Sequence, residues 1–139
     1  MSTKRHEGAW ALLSRARVDL ETLELLAAQP KAAEEAVGFH CQQAIEKCFK
    51  AVLSAAGIRH RRTHDLQELL DLLADNGIPV PAALRDAWRF NPFAVEFRYG
   101  EFPPASAKLD RPALLAQVRA CLAWAEGELA KAAKSFPQD

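Results

Sequence analysis

The stretch Val37–Leu53, VGFHCQQAIEKCFKAVL, decides the fold class of this chain. Its apolar residues recur at intervals of three and four, which places them on one face of an α-helix. This helix is predicted to extend from about Lys31 to Ala56 and to end at Gly57, because glycine readily adopts the left-handed conformation that follows a helix. The predicted apolar face comprises Val37, Cys41, Ala44, Ile45, Cys48 and Val52.

The composition indicates that the rest of the chain is helical as well. The sequence has 27 Ala and 18 Leu against 6 Val, 3 Ile and 3 Thr, and strands favour the β-branched residues that are scarce here. Periodicity, prolines and N-cap residues predict four further helices: Gly8–Ala28, one that Thr63 caps and Asn76–Gly77 ends, Ala82 to about Phe90, and one from Asp110 to about Lys134. We therefore expect an all-α protein, an up-and-down antiparallel bundle of four to five helices in a single domain over residues 1–139.

Charge and hydropathy exclude several classes of protein. Eighteen Lys and Arg balance eighteen Asp and Glu, so a broad nucleic-acid-binding surface is not expected. The longest stretch without these residues, Ala36–Ile45, is too short to span a bilayer, and the first residues lack the apolar region of a secretory signal. A cytoplasmic protein is expected. Three cysteines without a CxxC pair and four scattered histidines predict no metal site and no cofactor.

The densest positive run lies in the connector after the second helix. This run, Arg59, His60, Arg61 and Arg62, either binds phosphates of RNA or a nucleotide, binds the acidic face of a partner, or forms a solvated loop. His64 follows at the start of the third helix. It either contributes to an anion pocket or contacts the second helix, with Glu46 as the expected partner.

Two motifs resemble those of the HEPN domain family. The first, of the form Q-A-x-E-K, places Gln43, Ala44, Glu46, Lys47 and Lys50 on the second helix, and the second is the T-H-D-L sequence Thr63–Leu66. A later pair, Arg98 and Tyr99, stands where this family often carries an Arg-Tyr pair. The spacing of Gln43, Glu46, Lys47 and Lys50 is also that of an ordinary solvated helix face, whereas the resemblance implies that Gln43 and Glu46 point toward a groove or interface.

The resemblance implies a helical, commonly homodimeric protein that binds a nucleotide or RNA. Such proteins are often paired with a minimal nucleotidyltransferase, and some pairs act as toxin and antitoxin. Many are metal-independent ribonucleases with an Arg-x(4–6)-His motif, in which His moves the proton of a 2′-hydroxyl and Arg stabilises the phosphorane. Here no histidine follows Arg98, and the only Arg-x4-His spacing joins Arg59 to His64.

The sequence therefore favours a non-catalytic or weakly catalytic binding module. The candidate residues for nucleotide or anion binding are Arg59, Arg61, Arg62, His64, Arg98 and Tyr99. A ribonuclease that uses Arg98, or Arg59 with His64, is the alternative enzyme, and a purely structural helical adaptor is the third interpretation.

Overall fold

The computed structural model describes residues 2–90 and 109–135, apart from the side chains of residues 2, 3, 88 and 135. Every regular element in these ranges is helical, which confirms the predicted fold class. The α-helices are α1 (Ser2–Ala27), α2 (Glu34–Ala55), α3 (Leu66–Asp75) and α4 (Arg111–Ser135). Two 3-10 helices, Ala82–Leu84 and Ala87–Phe90, lie between α3 and α4. No helix among the described residues is long and apolar enough to cross a bilayer.

Helices α1, α2 and α4 pack against one another around the core, and α3 packs on α2. Helix α1 runs antiparallel to α4, because Arg17 pairs with Glu126 while Arg119 pairs with Glu24. The predicted apolar face of α2 is buried throughout. The largest fully buried side chains come from all four helices and the first 3-10 turn, and include Leu13, Leu23, Ile45, Phe49, Leu53, Leu66, Leu69, Leu73, Leu84 and Leu129.

The connector between α1 and α2 is longer than predicted. Helix α1 begins at Ser2 rather than Gly8 and ends at Ala27, and α2 begins at Glu34 rather than at about Lys31. The guanidinium of Arg111, at the start of α4, explains the difference: it donates to the carbonyls of Leu26, Gln29 and Ala32 at 3.2, 2.8 and 2.6 Å and to Oε1 of Glu34 at 2.8 Å. These bonds stabilise an irregular connector in which the carbonyls of Leu26 and Gln29 also accept from the backbone N–H groups of Gln29 and Ala32.

The predicted ends of the helices are mostly confirmed. Gly57 and Gly77 have φ angles of 75° and 72° after α2 and α3, and Asp110 caps α4 by accepting a hydrogen bond from the backbone N–H of Ala113 at 3.0 Å. The prediction that Thr63 is the N-cap of α3 is wrong. Asp65 is the cap and accepts from the N–H of Gln67 at 2.9 Å.

The predicted fourth helix is also wrong, because the segment forms two 3-10 turns instead. Side chains donate to carbonyl groups in this segment and just before it. Gln117 and Trp124 of α4 donate to the carbonyls of Ala83 and Pro79 at 3.1 and 3.0 Å. Arg85 donates to the carbonyl of Val80 at 3.0 Å. The segment is thereby fixed against α4 without helical hydrogen bonding.

Candidate functional site

Glu46 is the centre of a buried polar network on α2. Its residue is only 4% exposed, and its carboxylate accepts three hydrogen bonds. Oε1 accepts from Nε2 of Gln42 and from Nδ1 of His64, both at 2.9 Å, and Oε2 accepts from Nζ of Lys50 at 3.0 Å. A buried carboxylate needs such donors to replace the water that it has lost. The network therefore compensates the burial of Glu46, and the solvated-face interpretation of this residue is wrong.

Two glutamines, Gln42 and Gln43, extend this network. We call it the Glu46 network, and its members are Gln42, Gln43, Glu46, Lys50 and His64. Gln42 is fully buried and donates also to the backbone carbonyl of His64 at 3.0 Å. Gln43, which is 7% exposed, donates from Nε2 to Oε1 of Gln42 at 2.6 Å. The network therefore binds both the side chain and the main chain of His64 and joins α2 to the segment before α3.

The segment Thr63–Asp65 positions His64 for this contact. Oγ1 of Thr63 accepts from the N–H of Asp65 at 3.0 Å, and Asp65 in turn caps α3. His64 therefore precedes the helix and does not lie in its first turn. Its contact with Glu46 confirms the expected link to the second helix. Because a carboxylate accepts hydrogen bonds, the contact places the imidazole proton on Nδ1, and the side chain remains 43% exposed.

Asp19 of α1 forms a second polar cluster with two residues of α2. Its carboxylate contacts Nδ1 of His40 at 3.1 Å and accepts from Nζ of Lys47. Burial alone would raise the pKa of Asp19, but the hydrogen bonds from His40 and Lys47 and their charges lower it below its ordinary value of 3.8. Lys47, a member of the family motif, therefore fixes α1 to α2 rather than projecting into solvent.

The structure separates the positive residues of the connector from one another. Arg59 and His60 line a cavity together with residues of α1, and His64 does not line it. Arg61 forms a bidentate pair with Glu68 of α3, with bonds of 2.8 and 2.6 Å. Arg62 is exposed and forms no hydrogen bond or ion pair with any described residue. The Arg59–His64 spacing thus does not bring these two side chains into one described site. The predicted residues Arg98 and Tyr99 lie outside the described residues.

The three cysteines are buried and free. Burial raises the pKa of the Cys41 thiol to about 12 and that of Cys121 well above its ordinary value. The described ranges contain no group of three or more His, Cys, Asp or Glu side chains that could hold a metal ion. Cys41 and Cys121 are therefore core residues, because protonated thiols are poor nucleophiles and poor metal ligands.

The sequence motifs do not predict the roles of Gln42, Asp19 and Arg111. Gln42 lies on the apolar side of α2, where a polar residue signals a specific partner, and that signal is readable in the sequence. Asp19 and Arg111 contact residues far away in the chain, and no local pattern marks those contacts.

The protein is an all-α helical bundle with a polar network between its second and third helices. The chain matches the model of the HEPN domain over residues 9–131, and it belongs to the HEPN domain family. The HEPN family consists of nucleotide- or RNA-related helical domains, which commonly dimerise. No curated protein and no solved structure shows significant similarity to the chain.

Proposed function

We propose that this chain is a homodimeric HEPN module that binds a nucleotide or a partner protein and works with a minimal nucleotidyltransferase, in a system of the toxin–antitoxin type. Membership of the HEPN family supports the ligand class. The observation that carries the proposal is the Glu46 network: the family motif residues Gln43, Glu46 and Lys50 are engaged in holding α2 to His64. Side chains so engaged serve the architecture, and binding is left to other surfaces.

The test is complex formation with a minimal nucleotidyltransferase encoded beside this chain. The two proteins are co-expressed with a tag on one only, and their mass is measured by light scattering after gel filtration. We expect a homodimer of the 15.3-kDa chain alone and a stable complex with the nucleotidyltransferase. A monomer that retains neither the nucleotidyltransferase nor a nucleotide would contradict the proposal.

A metal-independent ribonuclease is the second candidate function, and the geometry of His64 favours it. Its Nδ1 is held by a buried carboxylate while the imidazole remains partly exposed, an arrangement that orients a histidine to act as a general base. Arg98 is the candidate for stabilising the negative charge, because Arg59 lines a cavity that His64 does not line. Cleavage of RNA in EDTA by wild type, but not by the His64→Ala or Arg98→Ala variant, would establish this activity in place of the binding module.

A further inference from the structure

A basic cavity lies at the end of the bundle where α1 begins and α2 ends. We call it the basic groove, and its volume is about 600 Å³. Lys4 and Arg5 on α1 form one side, and Arg59 and His60 of the connector form the other. More than fifty residues separate the two sides in the sequence, so only the fold brings these basic side chains together. The remaining lining is apolar or uncharged and includes Gly57.

The charge of the basic groove is uncompensated within its own lining. Three Lys and Arg side chains and one His line it, and none of its lining residues is Asp or Glu. Lys4 and Arg59 are exposed, and neither forms a hydrogen bond or ion pair with any described residue. By contrast, the cations Arg61, Arg111 and Lys47 all bind carboxylates. Lys4 and Arg59, one on each side of the groove, are therefore available to bind an anion.

Gly57 shapes the wall of the basic groove. Its φ of 75° disfavours any residue with a Cβ atom. A Cβ at this position would also lie 2.6 Å from Nη1 of Arg5, so the guanidinium packs against the bare backbone. The guanidinium of Arg5 thus lies against the end of α2, and Arg5 lines the same groove as Arg59 and Lys4.

We propose that the basic groove binds the phosphate groups of a nucleotide or of a single-stranded RNA. Lysine and arginine are the donors that phosphate oxygens select, and an acid-free lining adds no repulsion. The lining contains no carboxylate to accept the amino groups of a base and no aromatic ring besides His60, so recognition is of phosphate rather than of base sequence. This inference rests on the proposed function only for the class of ligand, a nucleotide or RNA. The basic groove contains no residue of the Glu46 network.

The experiment measures binding of three phosphate ligands to the whole chain at low salt. The probes are a fluorescent oligouridylate, ATP and inorganic tripolyphosphate, the last two as direct ligands and as competitors. The Arg59→Glu and Lys4→Glu variants remove one cation from each side of the groove. Arg15→Glu is the matched control, because Arg15 is exposed on α1, does not line the groove and lies about 15 Å along the helix from Arg5. Circular dichroism and thermal unfolding check that each variant folds.

We expect Arg59→Glu and Lys4→Glu each to weaken binding about tenfold or more, and Arg15→Glu to change it by less than about twofold. For the oligonucleotide, each lost phosphate contact should lower the slope of log K against log salt by about 0.7. Binding that tightens with oligonucleotide length identifies RNA as the source of phosphate. Equal binding of ATP and tripolyphosphate, with no gain from length, identifies the short phosphate chain of a free nucleotide, rather than an RNA backbone, as the part that the groove binds.

Three results would overturn the inference: no binding of any phosphate probe, binding that both groove variants retain, or an equal loss in Arg15→Glu. These results are separable from failure of the proposed function. The groove is assayed with the chain alone, whereas the proposed function is assayed by its complex with the nucleotidyltransferase.

Discussion

The Glu46 network and the basic groove lie at two points of the same helix and use charge in opposite ways. About 16 Å of α2 separates Glu46 from Gly57, at the edge of the groove. In the network, a buried carboxylate is matched by donors from Gln42, Lys50 and His64. In the groove, basic side chains lie together without an acid among the lining residues. Matched buried charge maintains a fold, whereas unmatched exposed charge is available to a ligand.

The largest effect on stability is expected when Glu46 is replaced by Ala. The change leaves donors of Gln42, His64 and Lys50 without their acceptor, and a broken buried ion pair typically costs about 3 kcal/mol. Urea unfolding should show this loss in the free energy of unfolding. Glu21→Ala is the control, because Glu21 is exposed on α1 and has no described partner. Equal free energies of unfolding for the two variants would show that the network does not stabilise the fold.

Replacing Arg111 by Ala should have the next largest effect. Its guanidinium binds three carbonyls of the α1–α2 connector and the carboxylate of Glu34, so its loss should reduce the free energy of unfolding by about 2 kcal/mol. Urea unfolding again provides the measurement. Lys131→Ala tests an exposed pair on the same helix, with Glu128, and should cost less than about 0.5 kcal/mol. A similar cost for both would show that the Arg111 contacts are not specially stabilising.

The Asp19 cluster predicts an effect that depends on pH. Since folding lowers the pKa of Asp19 below its ordinary 3.8, ionised Asp19 stabilises the fold above that pH, and the contribution is lost as pH falls through the folded pKa. At pH 7, Asp19→Asn should unfold with a free energy lower by about 1 kcal/mol. Wild type and variant should converge in acid. A difference that stays constant from neutral to strongly acidic pH would contradict this prediction, and Asp75→Asn, at an exposed residue, serves as the control.

The smallest effect on stability is expected in the basic groove itself. Arg59→Ala removes an exposed side chain without a described partner, so the free energy of unfolding should change by less than about 0.5 kcal/mol. The same variant should weaken phosphate binding. Thermal unfolding and a binding titration on one preparation separate the two effects. A destabilisation as large as that of Arg111→Ala would show that Arg59 belongs to the fold and not to a ligand site.

Local patterns in the sequence predict much of the fold. The apolar spacing on α2, Gly57 after it and Asp110 before α4 each act through neighbours in the chain, and the structure confirms all three. Thr63 and Asp65 are both good N-cap residues, and only the backbone geometry selects Asp65. The 3-10 turns before α4 depend on donors from α4 itself, which no local pattern reveals.

The candidate sites were harder to predict because they depend on distant contacts. Glu46 and Lys50 have the spacing of an exposed ion pair, and it is His64 and Gln42 that make Glu46 part of a buried network. The sequence shows that the connector is basic. Lys4 and Arg5 line the same cavity as the connector only because α1 packs on α2. The roles proposed for Arg98 and Tyr99 stay predictions.

The Arg111 contacts also set an order on folding during synthesis. The carbonyls of Leu26, Gln29 and Ala32 accept hydrogen bonds from a residue about eighty positions later in the chain. While the ribosome is still making the middle of the protein, the turn between the first two helices is held only by local bonds and water. The hairpin of α1 and α2 is therefore completed only after Arg111 of α4 has been synthesised. Chains stalled before residue 111 should expose this turn to proteases.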